Sequence, residues 1–320
     1  MLKKKLFVPL FSLLPILLLS GCDSKMVVFD PKGPAAREIL DLINWSLVFM
    51  LLVVVVVFGL FGYIVWKYRA TSKNIGYEPP EEHGSTKLEM IWTFIPILIV
   101  IALTIPTVKT IYKLEKVPEG YENKEPITIN VTSADWKWIF SYPEQGIETV
   151  NYVNIPVGTP VKFKLTSAGT MQSFWVPQLG GQKYTMNKME TELYLTADQA
   201  GEFLGRNTNF NGKGYADMEF TVEAKSPKAF DKWVKEVKET APKLSEDKYY
   251  ELLKPTHLGR QTFTGTHLAW VDHGKMNSKT YTNPELYEVH GVKGKIFNED
   301  DSSNESMDMD KSNGGENHGN

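Results

Sequence analysis

Residues 42–66 contain no charged side chain, and this 25-residue run limits the possible folds of the chain more than any other feature. A helix of that length, at about 1.5 Å per residue, crosses the roughly 30 Å hydrocarbon core of a bilayer. A second uncharged run covers residues 90–108 and contains Pro96 and Pro106, at which we expect a kink or support from neighbouring helices. The two runs predict a membrane hairpin. The mean hydropathy of −0.24 is too low for a chain made mainly of spans, so a large water-facing part should be attached.

The N-terminus has the pattern of a signal peptide. Three lysines precede an apolar run at residues 6–20, which is too short to span a membrane comfortably. The run ends in Leu19-Ser20-Gly21-Cys22, which resembles the lipobox of bacterial lipoproteins, and Cys22 is the single cysteine of the chain. We therefore expect cleavage before Cys22 and attachment of lipid to it, which would anchor the mature N-terminus at the outer face. An uncleaved signal anchor with an incidental cysteine is the alternative.

Lipid on Cys22 would also fix the orientation of the hairpin. The loop at residues 67–89 would then face the cytoplasm, and everything after the second helix would lie outside a bacterial cell membrane. The basic residues give this orientation little support, because both ends of the hairpin carry them. Those on the loop side are Lys67, Arg69, Lys73 and Lys87, and those after the second run are Lys109, Lys113 and Lys116.

Residues 126–224 have the pattern of an all-β domain. Apolar and polar residues alternate at residues 127–132 and again at residues 161–166, which is the period of half-buried strands. Turn signals such as Pro156-Val157-Gly158 separate the short runs. The pattern predicts a β-sandwich. After it, Ser226 and Pro227 predict the start of a helix.

The loop at residues 203–218 is rich in Gly and Asn and leads into a strand that alternates apolar and polar residues. A loop at the rim of a sheet is a suitable place for a metal. Cys or His at four positions of this loop, together with Met218, would form a soft-ligand copper site. Those four positions hold Asn207, Asn209, Asn211 and Tyr215 instead. Neutral amides and a phenol do not bind copper in that way.

This loop resembles the copper loop of the subunit II family of heme-copper terminal oxidases, where two cysteines, a glutamate, a histidine and a methionine ligate a dinuclear copper centre. Residues 170–177 resemble the family segment that holds a further histidine. The resemblance extends over the hairpin and over residues 126–224, which it identifies as a cupredoxin-like Greek-key sandwich. By this resemblance Gln172 stands at the first histidine, Asn207 and Asn211 at the cysteines, Asn209 at the glutamate, Tyr215 at the second histidine, and Met218 at the methionine.

Five of the six ligand positions are therefore changed, a pattern similar to the quinol-oxidase branch of the family. That branch takes electrons from a membrane quinol rather than from cytochrome c. The resemblance implies a complex that oxidises quinol, reduces oxygen to water and moves protons outward. It implies that hemes and copper belong to subunit I, and that this chain has no metal, redox centre or catalytic residue of its own. The implied partners are subunit I, the smaller oxidase subunits and membrane lipid.

Glu89 lies at the mouth of the second predicted helix. In the family that the chain resembles, a glutamate at this motif position lies at the entrance of a proton channel into subunit I, and Glu89 matches it. An acidic residue in the first turn of a helix also complements the helix macrodipole without any function. We expect Glu89 to lie at the proton entrance.

Trp136, Trp138 and Phe140 resemble the aromatic segment through which copper-containing members accept electrons. Their spacing of two places them on one face of a strand, so core packing is the expected role. In the segment at residues 179–184, which also matches the family, we expect Gly180 and Gly181 to permit turns with positive φ.

His267, Asp272 and His273 suggest a metal cluster, but their spacing and irregular context argue against one. A net charge of −3, from 35 basic and 38 acidic residues, gives no reason to expect nucleic acid as a partner. Two alternatives remain. One is a cytochrome c oxidase subunit II with a working dinuclear copper centre, and the other is a stand-alone membrane lipoprotein that acts as a binding module.

The predicted organisation comprises a lipoprotein signal peptide (1–21), an extracytoplasmic segment (22–41), a first transmembrane helix (42–66), a cytoplasmic loop (67–89), a second transmembrane helix (90–112), a linker (113–125), the cupredoxin-like domain (126–224), a helical C-terminal extension (225–295) and a disordered tail (296–320).

Overall fold

The computed structural model of the chain describes residues 26–69, 71, 76 and 84–275. The predicted signal peptide, the lipidation site at Cys22, most of the interhelical loop and the tail after residue 275 lie outside these residues.

Two long helices form the N-terminal hairpin. Helix α1 covers Pro34–Tyr68 and helix α2 covers Thr86–Leu114, and both are long and apolar enough to cross a membrane. Their most apolar stretches are not buried inside the chain. The Trp45 indole donates a hydrogen bond to the carbonyl of Ala102 at 3.2 Å and so links the two helices.

Both helices continue beyond the predicted spans, 42–66 and 90–112. The added first turn of α1 is not membrane-spanning sequence: Ala35 and Ala36 are buried against the water-facing domain, and Arg37 pairs with Asp198 there. Helix α2 begins at Thr86, so that Glu89 lies in its first turn rather than in the preceding loop. The first charged residue indicates where a helix leaves the bilayer, but the helix itself can continue beyond that residue.

The water-facing domain is a sandwich of two sheets, which confirms the predicted fold class. Its strands, in chain order, are β1 (Ile127–Ala134), β2 (Lys137–Tyr142), β3 (Ile147–Val150), β4 (Tyr152–Pro156), β5 (Val161–Ser167), β6 (Gln172–Trp175), β7 (Lys183–Thr185), β8 (Thr191–Leu195), β9 (Gly201–Asn207), β10 (Glu219–Lys225) and β11 (Gln261–Thr264). One sheet has the order β11-β3-β2-β1-β5-β8, and the other has the order β4-β10-β9-β6-β7.

Aromatic rings fill the space between the sheets. Trp138 and Phe140 of β2 contact Phe174 of β6 and Phe220 of β10, with ring centroids 4.8 to 6.3 Å apart within this group. Trp136, just before β2, is 4% exposed and belongs to the same core. The predicted core role of this aromatic segment is confirmed.

The C-terminal extension begins as predicted but is not wholly helical. Helix α3 (Pro227–Thr240) starts after Ser226, whose hydroxyl accepts the Ala229 N–H at 3.3 Å, and helix α4 (Glu246–Leu252) follows. Strand β11 then pairs antiparallel with β3 at the edge of the first sheet. This pairing gives the exposed edge of β3 a hydrogen-bonding partner and buries Phe263 of β11. Both effects explain why residues 261–264 are extended.

The expectation of positive φ at Gly180 and Gly181 was wrong, since neither adopts it. A Cβ atom at Gly180 would lie 2.5 Å from a methyl carbon of Leu195 and 3.4 Å from Cβ of Ala35, and one at Gly181 would lie 3.3 Å from Ile39. These glycines allow the first turns of α1 to approach the sandwich closely.

Candidate functional site: an amide-filled loop

The residues at the predicted copper-ligand positions lie at one end of the sandwich. Asn207 is the last residue of β9, and the connection to β10 contains Asn209, Asn211, Tyr215 and Met218. We refer to these five residues as the amide loop. Gln172 starts the neighbouring strand β6. Strands β6 and β9 pair antiparallel, with Phe174 opposite Asn207, and this pairing places the segment around Gln172 beside the loop.

Asn207 is 3% exposed and uses both ends of its side-chain amide. Its Oδ1 accepts the backbone N–H groups of Ser173 and Asn209, both at 2.9 Å. Its Nδ2 donates to the Asn209 carbonyl at 2.8 Å. Asn207 therefore closes its own loop and ties it to β6.

Asn209 and Asn211 continue this network. The Asn209 amide donates to the carbonyl of Met171 at 2.9 Å, which makes a second tie to the chain just before β6. Nδ2 of Asn211 lies 3.4 Å from Sδ of Met218, while the Asn211 carbonyl accepts the Trp136 indole N–H at 3.1 Å. Met218 is 1% exposed. The methionine that the sequence analysis aligned with a copper ligand thus packs against an amide.

Gln172 and Tyr215 stand apart from that network. Gln172 is fully buried, and its amide donates to Oδ1 of Asp135 at 3.2 Å. Tyr215 lies in a short helical turn, half-buried, with its ring 5.6 Å from the ring of exposed Phe210.

Sequence reasoning missed several residues that shape this loop. A Cβ atom on Gly214 would lie 2.2 Å from the indole of Trp136, so only glycine fits over that ring. Asp135 supplies the carboxylate that receives Gln172 and also Thr170. Asp135 and Trp136 lie next to a strand that the sequence predicts to belong to the core, and this position could have identified them.

The residues of the loop do not fit a dinuclear copper centre. Copper requires thiolate, imidazole or thioether ligands, and the polar ends of Asn207 and Asn209 are engaged by backbone groups. Among residues 26–69, 71, 76 and 84–275, no three His, Cys, Asp or Glu side chains gather closely enough to hold a metal ion.

The other residues considered as a metal cluster, His267 and His273, belong to the C-terminal extension, and both are buried. Nδ1 of His267 is 2.7 Å from Oε2 of Glu148, and the same oxygen accepts the His267 N–H at 3.0 Å and the Ser141 hydroxyl at 2.8 Å. Both His267 and Glu148 are 0% exposed. Asp272 is not part of this contact and instead receives the N–H of Gly274.

Tyr249 joins the two histidines. Its ring stacks on His267 with centroids 4.3 Å apart, and its hydroxyl lies 2.8 Å from Nε2 of His273. Burial, with a smaller contribution from the charge of Glu148, raises the pKa of Tyr249 well above its ordinary value. Tyr249 therefore remains a neutral hydrogen-bonding group. We refer to Glu148, His267, Tyr249 and His273 as the histidine cluster.

Glu89 is exposed in the first turn of α2, and its backbone N–H donates to the carbonyl of Ser85 at 3.0 Å. The hydroxyl of Thr93, one turn further on, donates to the Glu89 carbonyl at 2.8 Å. This places the carboxylate at the end of the hairpin that is far from the sandwich.

The chain is similar to known proteins over most of its length. Residues 22–110 match the model of the cytochrome c oxidase subunit II transmembrane domain. Quinol oxidase subunit 2 of Bacillus cereus is 56% identical over 272 residues, which cover 84% of this chain and 94% of that protein. The same subunit of Bacillus subtilis is 54% identical over 261 residues, with 81% of each chain covered. The solved periplasmic domain of subunit II of cytochrome oxidase from Bradyrhizobium japonicum has 24% identity and a TM-score of 0.35, covering 36% of this chain and 96% of that domain.

Three observations agree. The sequence identity to the Bacillus cereus protein is above one half over nearly its full length. The chain has two helices able to span a membrane, followed by a two-sheet sandwich. The loop at one end of that sandwich has side chains that do not suit copper. On these grounds the chain belongs to the quinol oxidase subunit 2 family.

Proposed function

We propose that this chain is a subunit of a terminal oxidase that oxidises quinol, reduces oxygen to water and moves protons across the membrane. Hemes and copper belong to subunit I, and this chain has no redox centre. The observation that carries the proposal is the amide loop, where Asn207 and Asn209 bind backbone groups at positions suited to copper ligands. A water-soluble electron donor needs a relay in the outer domain, whereas a membrane quinol does not.

The hairpin is the part that assembles with subunit I and the smaller subunits. Its apolar side chains are exposed along both helices of the isolated chain, so lipid and neighbouring subunits must cover them. Lipid on Cys22 holds the N-terminus at the outer face, and the sandwich lies on that extracytoplasmic side. Glu89, at the opposite end of α2, then faces the cytoplasm, where protons enter the complex.

The identity of the electron donor is tested on the complex purified from membranes in mild detergent. We expect heme to co-purify with the chain, and we expect oxygen uptake with a reduced quinol but not with reduced cytochrome c alone. Respiration on reduced cytochrome c alone would contradict the proposal, and so would two copper ions bound in this chain.

A restored ligand set provides a positive control. The variant combines Gln172→His, Asn207→Cys, Asn209→Glu, Asn211→Cys and Tyr215→His. We expect this variant, loaded with copper, to gain near-infrared absorption that the unchanged chain lacks. The matched control carries the same substitutions except the two cysteines and should not gain this near-infrared absorption, because thiolates supply the bridging ligands.

The role of Glu89 is tested in the assembled enzyme. We expect Glu89→Gln to lower proton-coupled turnover while heme content stays unchanged, because the amide cannot accept and release a proton at pH 7. Glu115→Gln, at the other end of α2, is the matched control and should leave turnover unchanged. Equal turnover in both variants would remove Glu89 from the proton path.

Lipidation is tested by mass spectrometry of the purified chain. We expect the mature chain to begin at Cys22 and to carry acyl groups. An unmodified chain that retains residues 1–21 would contradict the proposal.

A further inference from the structure

The end of α2 nearest the sandwich carries a stripe of exposed residues that changes from apolar to basic. Ile101, Ile105, Lys109, Tyr112 and Lys116 are spaced by four, four, three and four residues, so they lie along one side of the helix and its immediate continuation. Ile101 and Ile105 are 49% and 52% exposed, and Tyr112 is 67% exposed. The change occurs at Lys109, the first charged residue after the uncharged run 90–108. That is the level at which hydrocarbon gives way to lipid head groups.

Lys109 and Lys116 have no ion pair or side-chain hydrogen bond with other parts of the chain that the structure describes. Lys113, between them, is engaged by Glu38 at 2.7 Å and Glu119 at 3.0 Å. Lys113 is also the basic residue in the last turn of α2, so it complements the helix dipole there. Helix stability therefore accounts for Lys113 and leaves the other two lysines unexplained.

These lysines line an open cleft of about 640 Å³ together with Tyr112, Lys113, Val117, Glu119 and Glu122. Of its two acidic side chains, one is paired with a cation and the other accepts a backbone N–H. Glu119 pairs with Lys113, and Glu122 accepts the N–H of Gly120 at 2.8 Å. The cleft thus offers an anion two lysines without an ion pair in the described part of the chain and a phenol hydroxyl, against the single unpaired carboxylate of Glu122.

Membrane orientation does not explain the basic residues at this end either. A positive bias sets orientation when it favours one side, but basic residues flank both sides of the hairpin.

We propose that this end of α2 binds an anionic phospholipid, with its phosphate between Lys109, Tyr112 and Lys116 and an acyl chain along Ile105 and Ile101. The order along the helix supports a lipid, because apolar side chains face the hydrocarbon and the cations begin where phosphates lie. Lysine attracts phosphate as a point charge, and cations next to a spanning helix favour anionic lipid.

The experiment titrates phosphatidylglycerol into the purified oxidase complex in neutral detergent and counts bound lipid by native mass spectrometry. The variant Lys109→Gln with Lys116→Gln should bind phosphatidylglycerol about 30-fold more weakly, since each lysine near a membrane surface contributes roughly a factor of five. The variant Lys109→Arg with Lys116→Arg should retain binding. Phosphatidylcholine should bind wild type and both variants equally weakly.

The matched control is Lys228→Gln with Lys232→Gln, which removes the same charge from exposed positions on α3. It should leave lipid binding unchanged. Two results would overturn the proposal. One is equal phosphatidylglycerol affinity in wild type and the Lys109 and Lys116 glutamine variant. The other is loss of oxidase subunits from that variant at unchanged lipid content, which would assign the lysines to an acidic surface of a neighbouring subunit. Heme content in every variant reports assembly.

Discussion

The amide loop and the histidine cluster are both buried polar regions of one sandwich, but their side chains differ in kind. The loop places neutral amides at the positions where the sequence analysis expected copper ligands to be replaced, and Asn207 alone binds three backbone groups. The cluster buries ionisable side chains, with Glu148 against His267 at 2.7 Å. In each region these side chains make most of their hydrogen bonds within the protein, although Oδ1 of Asn211 and Oε1 of Glu148 have no partner in the described part of the chain. The difference is that the cluster is built from ionisable side chains, whereas the loop is built mainly from neutral amides.

The largest expected effect is the removal of Glu148. Glu148→Ala leaves His267 and the Ser141 hydroxyl buried without their acceptor, and we expect a loss of about 3–5 kcal/mol in the free energy of unfolding. The measurement is urea unfolding of the chain in detergent, followed by tryptophan fluorescence. Glu192→Ala removes a partly exposed partner of Lys162 and should cost less than about 1 kcal/mol. Similar losses in the two variants would mean that the cluster is no more important than a surface pair.

The next largest effect on the free energy of unfolding is expected from Lys137, which connects the two regions. Its buried ammonium donates to the carbonyls of Asp135, beside the loop, and Lys254, after α4, at 2.8 and 2.7 Å. Burial lowers its pKa to about 8, partly offset by the charge of Asp135. From pH 8 to its ordinary pKa of 10.5, the unfolded chain keeps a proton that the folded chain has released. Its contribution to stability should therefore rise with pH across that window, by about 3 kcal/mol at most.

This pH dependence is measured as the free energy of unfolding at several pH values for wild type and for Lys137→Met. The methionine variant should be less stable at pH 8, because the carbonyls of Asp135 and Lys254 lose their donor. It should also lack the part of the slope that Lys137 supplies. Parallel curves for the two proteins would show that Lys137 keeps an ordinary pKa when folded.

The sequence allowed the amide loop to be predicted but not the histidine cluster. The loop is a local feature, and its strand β10 alternates visibly between buried and half-buried residues. Glu148 and His267 are 119 residues apart, and they meet only because β11, four residues long, pairs with β3. A strand that short carries too little periodicity to be read from the sequence.

The glycines at residues 180 and 181 illustrate another limit. Glycine in a sequence indicates either an unusual φ or a close approach, and only the position of the neighbouring element decides between them. That neighbour is α1, which begins at Pro34, far from Gly180 in the sequence. The hairpin was the easiest element to predict, because a long run of uncharged residues can be recognised from the local sequence alone.

A smaller effect is expected for Asn207. Asn207→Ala leaves two backbone N–H groups and one carbonyl of the loop without their partner, and we expect a loss of about 2 kcal/mol in the free energy of unfolding. Asn209→Ala, with one side-chain bond to Met171, should lose less than about 1 kcal/mol. Because neither side chain ionises, both losses should be the same at pH 6 and pH 8. A loss that changes with pH would place a titrating group in the loop and weaken the contrast with the histidine cluster.

The smallest effect is expected for Asn211, although it is as buried as Asn207. Within the described part of the chain its Oδ1 has no hydrogen-bond partner, and its Nδ2 contacts only the weak acceptor Sδ of Met218. Leucine has nearly the same shape and removes an amide that gains little, so Asn211→Leu should change the free energy of unfolding by less than about 1 kcal/mol in either direction. Asn207→Leu is the matched comparison and should lose at least as much as Asn207→Ala. If Asn211→Leu were as destabilising as Asn207→Leu, the Asn211 amide would contribute as much as that of Asn207, and its Oδ1 would have to bind a water molecule or an ion.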